Sequence, residues 1–133
     1  MKACFALLLV AVAGCLAASA MAGGERADKS CGKVIGAGWV IPKTGGNLSG
    51  NKYAVTVRGV SCAIAKRYAT KFSRSSAKLK GPPVHGSFPL AGGPAGYTCG
   101  AFPDANGKLL IGQCQIGPLT KVSTHVFVWS GHP

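Results

Sequence analysis

The chain has 133 residues and a net charge of +12, from 15 Lys and Arg against three Asp and Glu. Its acids are Glu25, Asp28 and Asp104. Glycosidases and muramidases usually need a pair of carboxylates, and calcium and magnesium sites collect several. The composition therefore excludes these classes.

The first 22 residues have the pattern of an export signal. A short charged start precedes the apolar run ACFALLLVAVA, which is too short to span a bilayer. The motif AMA before Gly23 fits ordinary signal cleavage, whereas VAGC resembles a lipobox that would place a lipid on Cys15. We expect cleavage after residue 22 and secretion, with a lipoprotein anchored at Cys15 as the alternative.

The rest of the chain is long enough for one domain with a modest core. Residues 23–30, GGERADKS, form a polar leader, and residues 31–133 form the expected single domain, which we expect to be monomeric. After cleavage 14 Lys and Arg and three acids remain, a net charge of +11. Because two acids lie in the leader, Asp104 is the only carboxylate side chain expected in the domain.

Four cysteines remain after cleavage: Cys31, Cys62, Cys99 and Cys114. An even number of cysteines in a small exported chain predicts two disulfides. A Cys₄ zinc site is the rival hypothesis, but no pair has the close C-x-x-C spacing, and the expected compartment is oxidising. We therefore expect disulfides, and neither a metal nor a cofactor.

The N-terminal half of the domain contains two predicted strands. Residues 33–42, KVIGAGWVIP, are an apolar run typical of a short strand, and the Gly/Asn/Ser-rich residues 43–52 are typical of a surface loop. Residues 53–58 alternate, which predicts a strand. One face of this strand would carry Tyr53, Val55 and Val57.

A helix is predicted to begin at Cys62, after a break at Gly59 and an N-cap at Ser61. The buried arc would carry Cys62, Ala65, Tyr68, Ala69 and Phe72. The opposite arc would carry Lys66, Arg67, Lys71 and Arg74, with Lys78 and Lys80 extending it if the helix continues. These six cations are the candidate anion-binding residues. The alternative is a solvated helix face, since the helix dipole favours cations near the C-terminus.

Residues 81–96, GPPVHGSFPLAGGPAG, are predicted to form a long Gly/Pro-rich surface loop. Phe88 and Leu90 within it could anchor the loop to the core. They could equally be presented to a partner, as in protease inhibitors that bind through an exposed loop.

A β-hairpin follows, with Asp104 and Gly107 at the ends of a type I turn. In a four-residue loop, 105–108, Asp104 and Leu109 form the closing hydrogen-bonded pair. Pro103 then lies at a position that makes no hydrogen bond to the neighbouring strand, which a proline tolerates. A two-residue loop would give the same pairing but would require Pro103 to donate. We therefore predict the wider loop.

The hairpin register places Cys99 directly opposite Cys114 in a non-hydrogen-bonded pair, where side chains are closest. A disulfide there would contribute about 3 kcal/mol. Cys31 is then left to pair with Cys62. Residues 122–130, VSTHVFVWS, alternate again as a last strand. The expected fold is α+β, with one main helix on a small antiparallel sheet.

Over residues 53–129 the chain resembles small exported proteins common in actinobacteria, on the basis of four short motifs. They are GVSCA at the helix start, GYTC and GQC in the hairpin, and the terminal VFVW. The members of these families are mostly uncharacterised. The resemblance therefore implies export, the fold and a structural role for Cys62, Cys99 and Cys114, and supplies no catalytic residue.

The first functional hypothesis is a non-catalytic secreted or cell-envelope cationic module that binds an anionic cell-surface polymer or lipid headgroups. Nucleic acid is a less favoured partner, because no aromatic residues are interleaved with the basic ones to stack bases. The alternative is a protease inhibitor that uses the 81–96 loop. A ribonuclease using two of His85, His125 and His132 is less favoured, because no nuclease motif surrounds them. A Ser-His-Asp hydrolase is weaker still, since no G-x-S-x-G motif is present.

Overall fold

A computed structural model describes residues 28–41, 47–48, 51–74, 79–84 and 86–132. The predicted signal at 1–22, its Cys15 and most of the leader lie outside the described residues. The elements in chain order are β1 Lys29–Ile35, β2 Trp39–Val40, β3 Asn47–Leu48, β4 Lys52–Arg58, α1 Cys62–Ser73, β5 Phe88–Leu90, β6 Tyr97–Pro103, β7 Leu110–Ile116 and β8 Val126–His132.

Six of the strands form one antiparallel sheet in the order β1-β4-β8-β7-β6-β5, and β2 pairs with β3 separately. Helix α1 packs against β4, β1 and β8. One helix on an antiparallel sheet confirms the predicted α+β class.

The core lies between α1 and the sheet. Tyr53, Val55 and Val57 of β4 are buried, as their alternation predicts, and Ala65 and Ala69 of α1 are fully buried. At the centre the Phe72 ring stacks on Trp129 of β8, with ring centroids 5.5 Å apart. The helix begins as predicted, because the Ser61 hydroxyl accepts a hydrogen bond from the Ile64 N–H.

Both predicted disulfides are confirmed. Cys31 is joined to Cys62 at the first residue of α1, which fixes β1 to the helix start. Cys99 is joined to Cys114 across β6 and β7, with Cα atoms 4.1 Å apart. That short separation is typical of a non-hydrogen-bonded antiparallel pair.

The hairpin turn is also as predicted. The Asp104 N–H donates to the Leu109 carbonyl at 2.7 Å, and the Gly107 N–H donates to the Asp104 carbonyl at 2.9 Å. Pro103 pairs with Leu110 at a position without ladder bonds. The Asp104 side chain makes two further hydrogen bonds that the turn pattern did not predict. Its Oδ1 accepts from the N–H groups of Lys108 and Leu109.

This turn should make a small part of the stability depend on pH. The N–H groups of Leu109 and Lys108 hold the pKa of the Asp104 carboxyl below its ordinary value. Because the folded pKa lies below the unfolded value of about 3.9, the stabilisation is complete above that pH. It is lost as pH falls through the folded pKa.

We therefore expect Asp104→Asn to lower the free energy of unfolding at neutral pH. Its difference from the wild type should shrink as the pH falls below about 3.9. Urea unfolding at a series of pH values measures this difference. A difference that stays constant down to pH values well below 3.9 would contradict the role of the charged carboxylate.

The prediction for residues 33–42 is wrong in its limits. The first strand is β1, which begins two residues before the predicted domain start, and Gly36 follows it. A Cβ at Gly36 would lie 2.7 Å from the Tyr53 ring and at least as close to the Ser73 side chain. Only a glycine therefore fits where the chain passes between β4 and α1. The predicted loop 43–52 contains β3, whose Leu48 is buried against the core.

Two later segments also differ from the predictions. The 81–96 segment contains β5, which pairs with β6 from Phe88 to Leu90, so it is not a loop throughout. Pro89 is tolerated because it lies on an outer strand rather than at the centre of the sheet. The last strand begins at Val126, four residues later than the alternation indicated, and Val122 is exposed.

Candidate functional site

Lys66, Arg67 and Lys71 of α1 and its C-cap Arg74 are all exposed, and we call these four residues the basic face. The helix contains no acid. Its buried residues, among them Ala65, Ala69 and Phe72, occupy the opposite side as predicted. Four of the six candidate anion-binding residues are therefore exposed on α1 or at its C-cap.

Lys71 is the member of the basic face with the most contacts. Its Nζ donates to the Gly92 carbonyl at 2.7 Å and lies 5.6 Å from the centroid of the Tyr68 ring. The Arg67 guanidinium lies 6.0 Å from the same ring. Lys71 thus attaches the segment after β5 to the helix. Its ammonium group is less available to an external anion, because it already donates to a carbonyl of the protein.

The proposed extension of the basic face along a longer helix is wrong. Helix α1 ends at Ser73, and Arg74 is its C-cap. The chain then pairs with β5 instead, because Leu79 forms a bridge with Leu90 and the Lys80 N–H donates to the Pro89 carbonyl at 2.8 Å. Lys80 is exposed but lies at the sheet edge, and Lys78 lies outside the described residues.

Neither carboxylate of the described residues neutralises the basic face. Asp28, which the sequence analysis placed in the leader, pairs with Arg58 of β4 at 2.8 Å, so the folded part has a second carboxylate besides Asp104. Asp104 is engaged by the backbone of its own turn. The helix cations therefore keep a net positive field at the surface.

The segment proposed as an inhibitor loop is attached to the core. Leu90 is buried, and the Phe88 ring packs against Trp39 with centroids 5.5 Å apart. Both side chains thus anchor the segment to the core, Leu90 as a buried residue and Phe88 as a partly buried one. Val84 is its one large apolar side chain that remains exposed among the residues described there.

His125 is the one histidine whose side chain lies within the described residues, so the structure compares no pair of histidines for the ribonuclease alternative. His125 is exposed, and its Nδ1 lies 3.1 Å from the Thr124 hydroxyl. His85 and the side chain of His132 lie outside what the structure describes. Within the described ranges no three His, Cys, Asp or Glu side chains are grouped to hold a metal ion, and α1 is too short and too polar to cross a membrane.

A second surface, which the sequence did not predict, lies on the face of the sheet that α1 leaves uncovered. Here a groove of about 960 Å³, which we call the sheet groove, lies between the segment around Val84 and Ser87 and the segment 117–120. Thr98, Phe102 and Gln113 of β6 and β7 line it as well. Alternation along β6 predicts that Thr98 and Phe102 face away from Cys99. It does not indicate that two other segments of the chain flank them.

Comparison with protein families, with curated proteins and with solved structures finds no match to this chain. The two disulfides are typical of extracytoplasmic proteins, since cytosolic thiols are kept reduced. The chemistry of the two exposed surfaces is therefore what bears on function.

Proposed function

We propose that the chain is a non-catalytic cationic module, secreted after cleavage at residue 22, that binds anionic surfaces through the basic face of α1. One observation carries the proposal: exposed cations share a helix that has no acid, while both described carboxylates are engaged elsewhere. Lys66, Arg67 and Arg74 supply the charge most freely, because Lys71 is held by Gly92.

Anionic lipid headgroups or an anionic cell-envelope polymer are the partners that this arrangement favours. A regular array of exposed cations on a short helix offers charge without a shaped pocket, so it attracts phosphate or carboxylate groups without selecting among them. The one aromatic ring beside the basic face, Tyr68, is packed against Phe72 and Phe127 and contacted by Lys71. That packing favours lipid or polymer over nucleic acid, which would need free rings for stacking.

We expect the triple variant Lys66→Gln, Arg67→Gln, Arg74→Gln to bind anionic vesicles on the order of a hundredfold more weakly at low salt. Each cation close to an anionic surface contributes about 1 kcal/mol, which three residues multiply to this factor. Sedimentation with vesicles of phosphatidylglycerol and phosphatidylcholine measures the affinity. Binding should fall steeply with salt, because exposed charges are screened over about 8 Å at physiological ionic strength.

A matched control separates the basic face from net charge alone. Lys33 of β1, Lys52 of β4 and Lys121 beyond β7 are also exposed and are not part of α1, and they can be changed to Gln with the same loss of charge. The control variant should bind several-fold more tightly than the helix variant. Equal binding of the two variants would mean that α1 is a solvated face and that attraction comes only from overall charge.

A further inference from the structure

We propose that the sheet groove is a binding site for an uncharged amphiphile, a small molecule with an aliphatic body and one hydroxyl or carbonyl group. The groove lies on the face of the sheet opposite α1, so the proposal is independent of the basic face. Its volume of about 960 Å³ is at the upper end of the range typical of small-molecule sites.

In a chain with 15 Lys and Arg, every described residue that lines the groove is uncharged. The apolar part of the lining consists of Val84, Pro89, Phe102, Pro103, Pro118 and Leu119. Because a charged group would lose its hydration there without gaining a partner of opposite charge, the groove selects neutral ligands.

The polar part of the lining identifies a position for one hydrogen-bonding group. Ser87 lines the groove, and its hydroxyl oxygen is buried and has no hydrogen-bond partner among the described residues. A buried polar atom without a partner is unfavourable, and a ligand hydroxyl or carbonyl can supply the missing bond once the Ser87 side chain rotates toward the groove. Thr98 and Thr120 add hydroxyls at the rim, where both residues are exposed.

The walls are held in place by the protein itself, so the groove does not depend on a ligand to form. The Gln115 side chain is buried, and its Nε2 donates to the carbonyls of Pro118 and Lys121, the second at 2.7 Å. Its Oε1 accepts a hydrogen bond from Gln113 Nε2. The segment that carries Leu119 is thus fixed to the sheet by a buried amide.

The two walls of the groove meet over Gly100 of β6, where only a glycine leaves room for them. A Cβ at Gly100 would lie 2.6 Å from Leu119 Cδ1, and the Ser87 hydroxyl oxygen would be closer still. The opposite wall is closed by two backbone hydrogen bonds between Val84 and Ser87, at 2.8 and 3.0 Å. Preformed walls with an apolar lining are the usual form of a small-molecule site.

The test uses octanol and decanol as neutral probes, with binding followed by amide chemical shifts of the full-length mature chain. We expect saturable binding at one site, with shifts at Thr98, Phe102 and Leu119. Decanol should bind on the order of tenfold more tightly than octanol, because burying each added methylene contributes about fourfold. Decanoate and decylammonium should bind more weakly than decanol.

Two substitutions of equal size and charge locate the site. Thr98→Arg places a cation in the groove and should weaken decanol binding at least tenfold, whereas Thr124→Arg, at an exposed position outside the groove, should leave it within about twofold. Ser87→Ala, which removes the unpartnered hydroxyl, should reduce the preference for decanol over decane. Thermal unfolding of each variant shows that the fold is kept.

Three results would overturn the proposal. One is the absence of saturable decanol binding, and another is equal binding by the two arginine variants. The third is tighter binding of decanoate than decanol, which would assign the ligand to the cationic surface instead. None of these results bears on vesicle binding through α1, so the two proposals fail separately.

Discussion

Gly112→Ala should lower the free energy of unfolding by about 3 kcal/mol, the upper end of what overpacking a core costs. Gly112 of β7 pairs directly with Trp129 of β8, and the indole lies across the glycine. A Cβ there would be 2.6 Å from the indole Nε1, with Cε2 and Cζ2 closer still. The indole cannot retreat, because it is fully buried and stacked on Phe72.

Thermal unfolding by circular dichroism measures this cost, which corresponds to a drop in Tm of about 12–24 °C for a domain of this size. Gly81→Ala is the matched control, because a Cβ at Gly81 would meet no atom within 4 Å. We expect the control to change the free energy of unfolding by less than about 1 kcal/mol. Equal Tm values for the two variants would show that the indole is free to move.

Replacing all four domain cysteines by alanine should leave no stable fold. The disulfides close loops with sequence separations of 31 and 15 residues. In the chain-entropy model they contribute about 4 and about 3 kcal/mol respectively. Their sum is comparable with the whole stability of a typical domain, about 5–15 kcal/mol.

Each disulfide removed alone should leave a folded protein with a lower urea midpoint. The loss should be larger for Cys31 with Cys62 than for Cys99 with Cys114, because the first pair closes the longer loop. Urea titrations followed by tryptophan fluorescence compare the variants. A reduced and alkylated protein that keeps the midpoint of the oxidised protein would contradict this account.

The candidate surfaces differ in how far sequence could predict them. Helical periodicity alone places Arg67, Lys71 and Arg74 of the basic face on one side of the helix, with Lys66 at the border of the buried side. The contact of Lys71 with Gly92 could not be predicted, since the two residues are 21 positions apart and meet only when β5 returns to the helix. The sheet groove is lined by segments that lie apart in the chain and meet only in the folded protein, so its lining has no local pattern.

The sequence by itself determined the features that depend on neighbouring residues. They are the start of α1 at Cys62, the buried alternation of β4 and the turn at Asp104. The disulfide pairing followed as well, because the turn sets the register that places Cys99 opposite Cys114 and leaves Cys31 for Cys62. Periodicity, capping and turn geometry act over a few residues, so they can be read along the chain.

Only the tertiary structure decided which strands are neighbours. The pairing of β4 with β8 joins segments far apart in the chain, so no local pattern indicates it. The strands β2, β3 and β5 had no sufficient local signal, because strands of two or three residues are too short to alternate. Their places follow from what they bury, with Trp39, Leu48 and Leu90 filling core positions that other segments leave open. Burial of this kind depends on the whole chain at once, and no stretch of sequence specifies it alone.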